Sequence, residues 1–298
     1  MTPFGSARLL EALASKVEHA RGLDRVAAPI HAWATKLTSA PAVTTVLSGT
    51  TLGHPAHPLL VAVPIGSWTG SLLLDLLHQP AAARALVGLG VVSALPTAVT
   101  GLNDWRDTMG AEQRVGLVHA ALNWTAIAMY AASWLARRRG NNTVGVVLSA
   151  SGLAVLAGAG WLGGHLSYAL GVGVDTTAFQ TDVPDWTDAG PAEAVRAGAL
   201  RKVEVTGGVA ILLTRVDDAV VAMADRCTHR GGPLDEGTIV DGCVRCPWHH
   251  SDFRLRDGSV AHGPATRPQA FFQVRVVDDR IQVRRREERT LRTNPIGS

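Results

Sequence analysis

Between residues 57 and 173 the chain runs through long uncharged stretches, and after 174 apolar and charged positions mix as they do in soluble domains. Four apolar segments, at about 57–77, 82–102, 115–136 and 146–172, are long enough to cross a bilayer core. A core of roughly 30 Å takes about 20 mainly apolar residues per helix. The joins are short, so neighbouring helices run antiparallel and a compact four-helix bundle is expected over 51–174. A soluble bundle would have to keep four such runs from water. Gly66 and Gly70, and Gly160 and Gly164, have the GxxxG spacing that lets helices approach closely in lipid. Pro64 and Pro96 predict kinks. Ahead of the bundle, residues 1–50 read as an amphipathic helical segment. Over 6–28, Leu9, Leu13, Val17, Ala20, Leu23 and Val26 keep a helical spacing interrupted by charge, which is not the apolar core of a signal peptide.

The period changes to two near residue 199. KVEV, VAILLTRV, AVVAMAD, FFQVRVV and RIQVRR alternate like strands and are separated by Gly- and Asp-rich turns. This predicts an all-β domain, a small sandwich or barrel, over 199–288. Residues 175–198, rich in Pro, Gly, Thr and Asp, read as a linker that enters the next domain around Trp186; 289–298 form a C-terminal tail. The fold class is therefore multidomain: an all-α transmembrane bundle followed by an all-β domain.

Composition agrees with this division. A mean hydropathy of +0.15 with 18% charged residues is high for a soluble protein, and the net charge of +3 is mild. The arginine clusters at 137–139 and 284–286 lack interleaved aromatics, so no nucleic-acid partner is expected; they read as solvated ends and interfacial anchors. All three cysteines fall between 227 and 246, a clustering that favours metal binding over a disulfide framework.

Two loops carry the chemistry: Cys227-Thr-His229-Arg-Gly231-Gly232 and Cys246-Pro-Trp248-His249-His-Ser251. Each supplies one cysteine and one histidine. Two thiolates on one iron and two imidazoles on the other is the donor set of a Rieske [2Fe–2S] centre. Zinc sites group like ligands together and are the structural rival. Gly231 and Gly232 permit tight turns whose amides can point at the cluster. With the later Gly263-Pro264-Ala265 and the flanking strands, residues 186–286 resemble the Rieske ferredoxin family. The resemblance implies that Cys227 and Cys246 hold the inner iron, that His229 and His249 hold the outer one, and that Pro264 lies in a loop covering the cluster. Respiratory and photosynthetic members carry a cysteine pair where this chain has Gly232 and Trp248, so their disulfide cannot form here. They also place a tyrosine two residues past a serine. This chain keeps Ser251 but has Phe253, losing a hydrogen bond to sulfur, which implies a lower reduction potential. The domain therefore resembles the ferredoxins and reductase partners of oxygenases rather than a quinol-oxidising subunit. Cys243 reads as a buried strand residue or a spare thiol, and His250 as a solvent-facing loop residue or a proton-linked neighbour of the cluster.

The bundle holds its own histidines: His54 and His57 at the mouth of the first span, His119 inside the third and His165 near the end of the fourth. All four gather toward the face from which the soluble domain leaves. Ionisable groups inside a membrane mark candidate functional sites. Paired imidazoles on separate helices can ligate haem b, with His119 and His165 the preferred pair and His57 a substitute; another metal or a quinone site, or helix capping, mutual bonding and headgroup contacts, are the alternatives. Gly163 and Gly164 would let a flat macrocycle approach. His78 and Asp75, near the opposite face, read as interfacial. The strings GHPAHPLLVAVPIGSW (53–68), NDWRD (103–107), HAALNW (119–124) and GGHLSYALGVGV (163–174) resemble an uncharacterised family of bacterial four-helix membrane proteins.

The expected function is that of a membrane-anchored one-electron carrier, working between a redox partner protein or membrane donor and an acceptor. The alternative is a redox sensor whose cluster reports rather than transfers. A complete Rieske oxygenase needs a second iron site of two histidines and a carboxylate, and no histidine follows His262 to build one. Arg137–Arg139 on the opposite face would draw that side to the cytoplasm, but the N-terminal segment carries five Lys/Arg on the soluble domain's side. With a disulfide-free domain, this favours a cell-membrane protein whose soluble part is cytoplasmic.

Overall fold

The computed structural model describes residues 4–180 and 182–285, in two units divided between Val174 and Asp175. The first unit is helical. Helices α1 (Phe4–His19), α2 (Asp24–Thr38) and α3 (Pro41–Ser48) precede four long ones: α4 (Ala56–Leu76), α5 (Pro80–Arg106), α6 (Gly110–Arg138) and α7 (Asn142–Tyr168). These four are long and apolar enough to cross a membrane. α4 and α5 run unbroken through Pro64 and Pro96. The amphipathic helix expected over 6–28 is instead two helices joined by a 3₁₀ turn at Arg21–Leu23. The break wraps the chain around Arg114 of α6, which ion-pairs with Asp24 at 2.6 Å.

The NDWRD string ties the N-terminal helices to the bundle. Asn103 donates to Ser48 Oγ at 2.9 Å, and Trp105 Nε1 donates to the Gln113 carbonyl at 2.9 Å. The buried Arg106 donates to the Thr38 carbonyl at 2.7 Å and pairs with Asp107. His31, which the hydrophobic pattern did not single out, bonds the Arg106 carbonyl at 2.7 Å.

Close helix approach does not occur where the GxxxG spacing placed it. Gly66 and Gly160 have open space beside them, and Gly70 meets only Leu86. The tight contacts lie at other glycines. A side chain at Gly90 would overlap the Trp68 indole, and one at Gly152 would sit 3.1 Å from the Tyr130 ring. Trp68 and Tyr130 stack with centroids 4.2 Å apart and planes 2° from parallel. Arg137, expected as a solvated anchor, is wholly buried instead. Its guanidinium makes a two-pronged pair with Asp75 at 2.7 and 2.6 Å, since a charge inside the bundle needs a counter-charge.

The second unit is all-β. A six-stranded antiparallel sheet has the order β1-β10-β9-β4-β3-β2, from β1 (Thr187–Pro191), β2 (Arg201–Val205), β3 (Val209–Val216), β4 (Ala219–Ala224), β9 (Phe271–Val277) and β10 (Arg280–Arg285). A smaller sheet runs β5-β6-β7-β8, from β5 (Thr238–Val240), β6 (Cys243–Arg245), β7 (Asp252–Arg254) and β8 (Val260–His262). β1 falls within the expected linker. It pairs with β10 through a register shift between Asp188 and Gly190, so its Gly- and Pro-containing sequence carries no clean alternation. The 289–298 tail lies outside the described residues.

Candidate metal centre

The two ligand loops share one backbone design. The first leaves β4, and the second joins β6 to β7. Cys227 N donates to the Gly232 carbonyl and Cys246 N to the Ser251 carbonyl, each at 2.9 Å. Within the loops, Gly231 N returns to the Cys227 carbonyl at 2.8 Å and His250 N to the Cys246 carbonyl at 3.1 Å. Both loops therefore turn through a left-handed residue four places past the cysteine, Gly231 (φ 77°) and His250 (φ 61°). His250 is a strained loop residue with an exposed side chain, which matches the solvent-facing reading.

This folding delivers the thiols together. Cys227 and Cys246 are both buried, in an apolar cluster with Leu234, Val244, Phe253 and Ala265. The Cys227 thiol donates a hydrogen bond to the Cys246 sulfur, which also accepts the amides of Trp248 and His249. Cys227 accepts those of His229 and Arg230. The shared hydrogen bond draws Cys246 down to about 7 and, with burial, holds Cys227 well above the usual thiol range. A metal that takes both thiolates must displace the proton they share. Affinity of the apo-domain is therefore expected to fall about tenfold per unit as pH is lowered from 9 to 7, read by competition against a chelator.

The imidazoles lie further out. His229 and His249 are half-buried, edge to face, with ring centroids 5.1 Å apart. Trp248 is 51% exposed, and its ring packs on Gly232, where a Cβ would stand 2.9 Å from Cys246 Sγ. The turn thus requires glycine at 232. Ser251, fully buried, accepts the Ala265 amide at 2.9 Å, which fastens the Gly263-Pro264-Ala265 segment to the second loop. Cys243 is buried in β6, with its sulfur toward the Asp241 carbonyl. A buried thiol pair beside a shallower imidazole pair suits two metals bridged together, with soft donors on one and nitrogen donors on the other.

A family model described as the Rieske [2Fe-2S] domain matches residues 185–287. The anthranilate 1,2-dioxygenase ferredoxin subunit of Burkholderia cepacia is 37% identical over 79 residues, 26% of this chain and 73% of that protein. Ferredoxin CarAc of Metapseudomonas resinovorans is 32% identical over 98 residues, 33% of this chain and 92% of that one. This chain belongs to the Rieske [2Fe–2S] family. Its Rieske domain begins near Asp185, ten residues into what composition read as linker. Residues 53–176 match a second family, described as a predicted membrane protein (DUF2231). The protein is accordingly a membrane protein with a Rieske domain at its C-terminal end, and the Rieske domain implies a [2Fe–2S] cluster.

The membrane histidines separate into different environments. His165 bonds Glu18 of α1 at 2.7 Å and stacks on Trp161. His54 is exposed ahead of α4. His57 is held by the Thr97 carbonyl at 2.9 Å and His119 by the Ala159 carbonyl at 2.8 Å. Gly163 makes room for the His119 ring rather than for a group beside His165.

Proposed function

We propose that the protein is a membrane-anchored one-electron carrier whose Cys227 and Cys246 hold the inner iron of the cluster and whose His229 and His249 hold the outer. The observation that carries this reading is the pair of matched loops, which set two buried sulfurs behind two shallower imidazoles. When bound, the cluster supplies a one-electron couple. The chain's part is to exclude water from the sulfurs with Leu234, Phe253 and Ala265, and to aim backbone amides at them. The half-buried histidines leave the outer edge open to a partner. Relatives named as ferredoxin subunits of dioxygenases support a partner of the oxygenase or reductase class. Four spans return the chain to the side on which α4 began, and the absence of disulfide chemistry among Cys227, Cys243 and Cys246 favours the cytoplasmic side.

Purified full-length protein, reduced with dithionite, is expected to give a Rieske EPR signal that His229→Ala abolishes. A wild-type protein reconstituted with iron and sulfide that gives none would sink the reading. Ser251→Ala should retain the cluster with a lowered reduction potential, because the fully buried hydroxyl of the serine that the Rieske resemblance keeps is lost from the second ligand loop. An EPR-monitored redox titration checks the direction.

A further inference from the structure

The bundle is a tandem repeat with a displacement of 62 residues. α5 runs from Pro80 to Arg106 and α7 from Asn142 to Tyr168, the same limits shifted by 62; α4 and α6 end at Leu76 and Arg138, shifted alike. Side chains repeat with the same displacement. Trp68 over Gly90 becomes Tyr130 over Gly152, and Ser71 becomes Ser133. His57, bonded to the Thr97 carbonyl with its ring against Gly101, becomes His119, bonded to the Ala159 carbonyl with its ring against Gly163.

Residues related by a repeat touch one another only close to the axis that relates the two copies. Trp68 stacks on its own equivalent Tyr130, and Asp75 pairs with its own equivalent Arg137. Both halves are hairpins entering from the same side, so the axis runs along the helices. His57 and His119 are a third equivalent pair, on the same helix faces as Trp68 and Tyr130 and each 11 residues, about three turns, earlier. They form a layer on the same axis about 27 Å from the charge pair, 18 residues at about 1.5 Å each.

Both imidazoles are prepared in the same way. A carbonyl accepts only, so each Nδ1 carries the proton and each Nε2 keeps a lone pair. Metal-ligating histidines are set in this manner, with the far nitrogen anchored. Asn123 reaches His119 Nε2 at 3.2 Å, a long bond that a stronger acceptor of the lone pair would replace. Among the described residues of the bundle, no third histidine, cysteine or carboxylate joins His57 and His119 in a metal-ligating group. An ion bound here must therefore bring its remaining ligands with it.

We propose that His57 and His119 form a bis-imidazole site on the pseudo-two-fold axis of the bundle and take a planar metal macrocycle of the haem class. The pair is not the one that spacing favoured, since His165 is engaged by Glu18. The site extends the electron-carrier reading, but its evidence lies wholly in the bundle, so the two can fail separately.

The test is titration of purified full-length protein in detergent with hemin. One equivalent should give the Soret and visible bands of six-coordinate, low-spin haem. His57→Ala and His119→Ala should each lose that spectrum and regain it on addition of free imidazole, while His165→Ala and His54→Ala keep it. The Rieske EPR signal should survive in both alanine variants, and His229→Ala should lose that signal but keep the hemin spectrum. Wild-type protein without the six-coordinate spectrum, alanine variants indistinguishable from wild type, or variants that imidazole does not restore would each overturn the proposal.

Discussion

Replacing Cys246 with serine is expected to remove the visible absorption and the EPR signal of the Rieske domain completely. The thiol sits at 2% exposure in an apolar cluster, where its thiolate accepts the amides of Trp248 and His249. A hydroxyl cannot ionise there at neutral pH, and hard oxygen is a poor substitute for a soft thiolate on the inner iron. The remaining cysteine cannot stand in. Cys243 belongs to β6 and its sulfur lies toward the Asp241 carbonyl, so Cys243→Ala should leave the cluster signal unchanged. A persistent signal in Cys246→Ser, or a lost one in Cys243→Ala, would show that the thiol pair has been misassigned.

The second large effect belongs to the membrane unit. Asp75→Ala strands the Arg137 guanidinium, whose side chain is wholly buried. Breaking a buried pair by removing one partner costs about 3–5 kcal/mol, whereas removing both is often close to neutral. Asp75→Leu together with Arg137→Leu should therefore recover most of the loss. The exchange Asp75→Arg with Arg137→Asp should recover it too, because the repeat gives the two positions matching surroundings. Unfolding of full-length protein in detergent, followed by heat or SDS, measures all three variants. A double variant no more stable than Asp75→Ala would remove the case for the pair.

What could be read without coordinates depended on how local each signal was. The spans were legible because a helix crossing lipid must be apolar along its whole length, and the ligand loops because cysteine and histidine stand within four residues of each other. The Arg137 pairing was hidden. Three consecutive arginines look the same whether all face water or one turns inward, and its counter-charge lies 62 residues away. β1 was hidden because its shifted register and its glycine and proline erase alternation. The repeat is hidden in the sequence for a related reason. Helix packing requires only that a ring meet a glycine or that a donor meet a carbonyl, so Trp68 and Tyr130, or Thr97 and Ala159, can fill one role with different letters. His57 and His119 and their glycines are among the few positions where the letters also agree.

The Asp75–Arg137 pair bears on how such a bundle could have arisen. Two separate copies of one hairpin, meeting about the same axis, would set an aspartate against an aspartate or an arginine against an arginine. Neither arrangement is tolerable away from water. Joining the copies in one polypeptide frees them to diverge, so that one half carries the acid and the other the base. The histidine layer has no such need, because two neutral imidazoles can face each other unchanged. A single gene with both halves could thus acquire polarity at one end of its axis while keeping the older symmetry at the other.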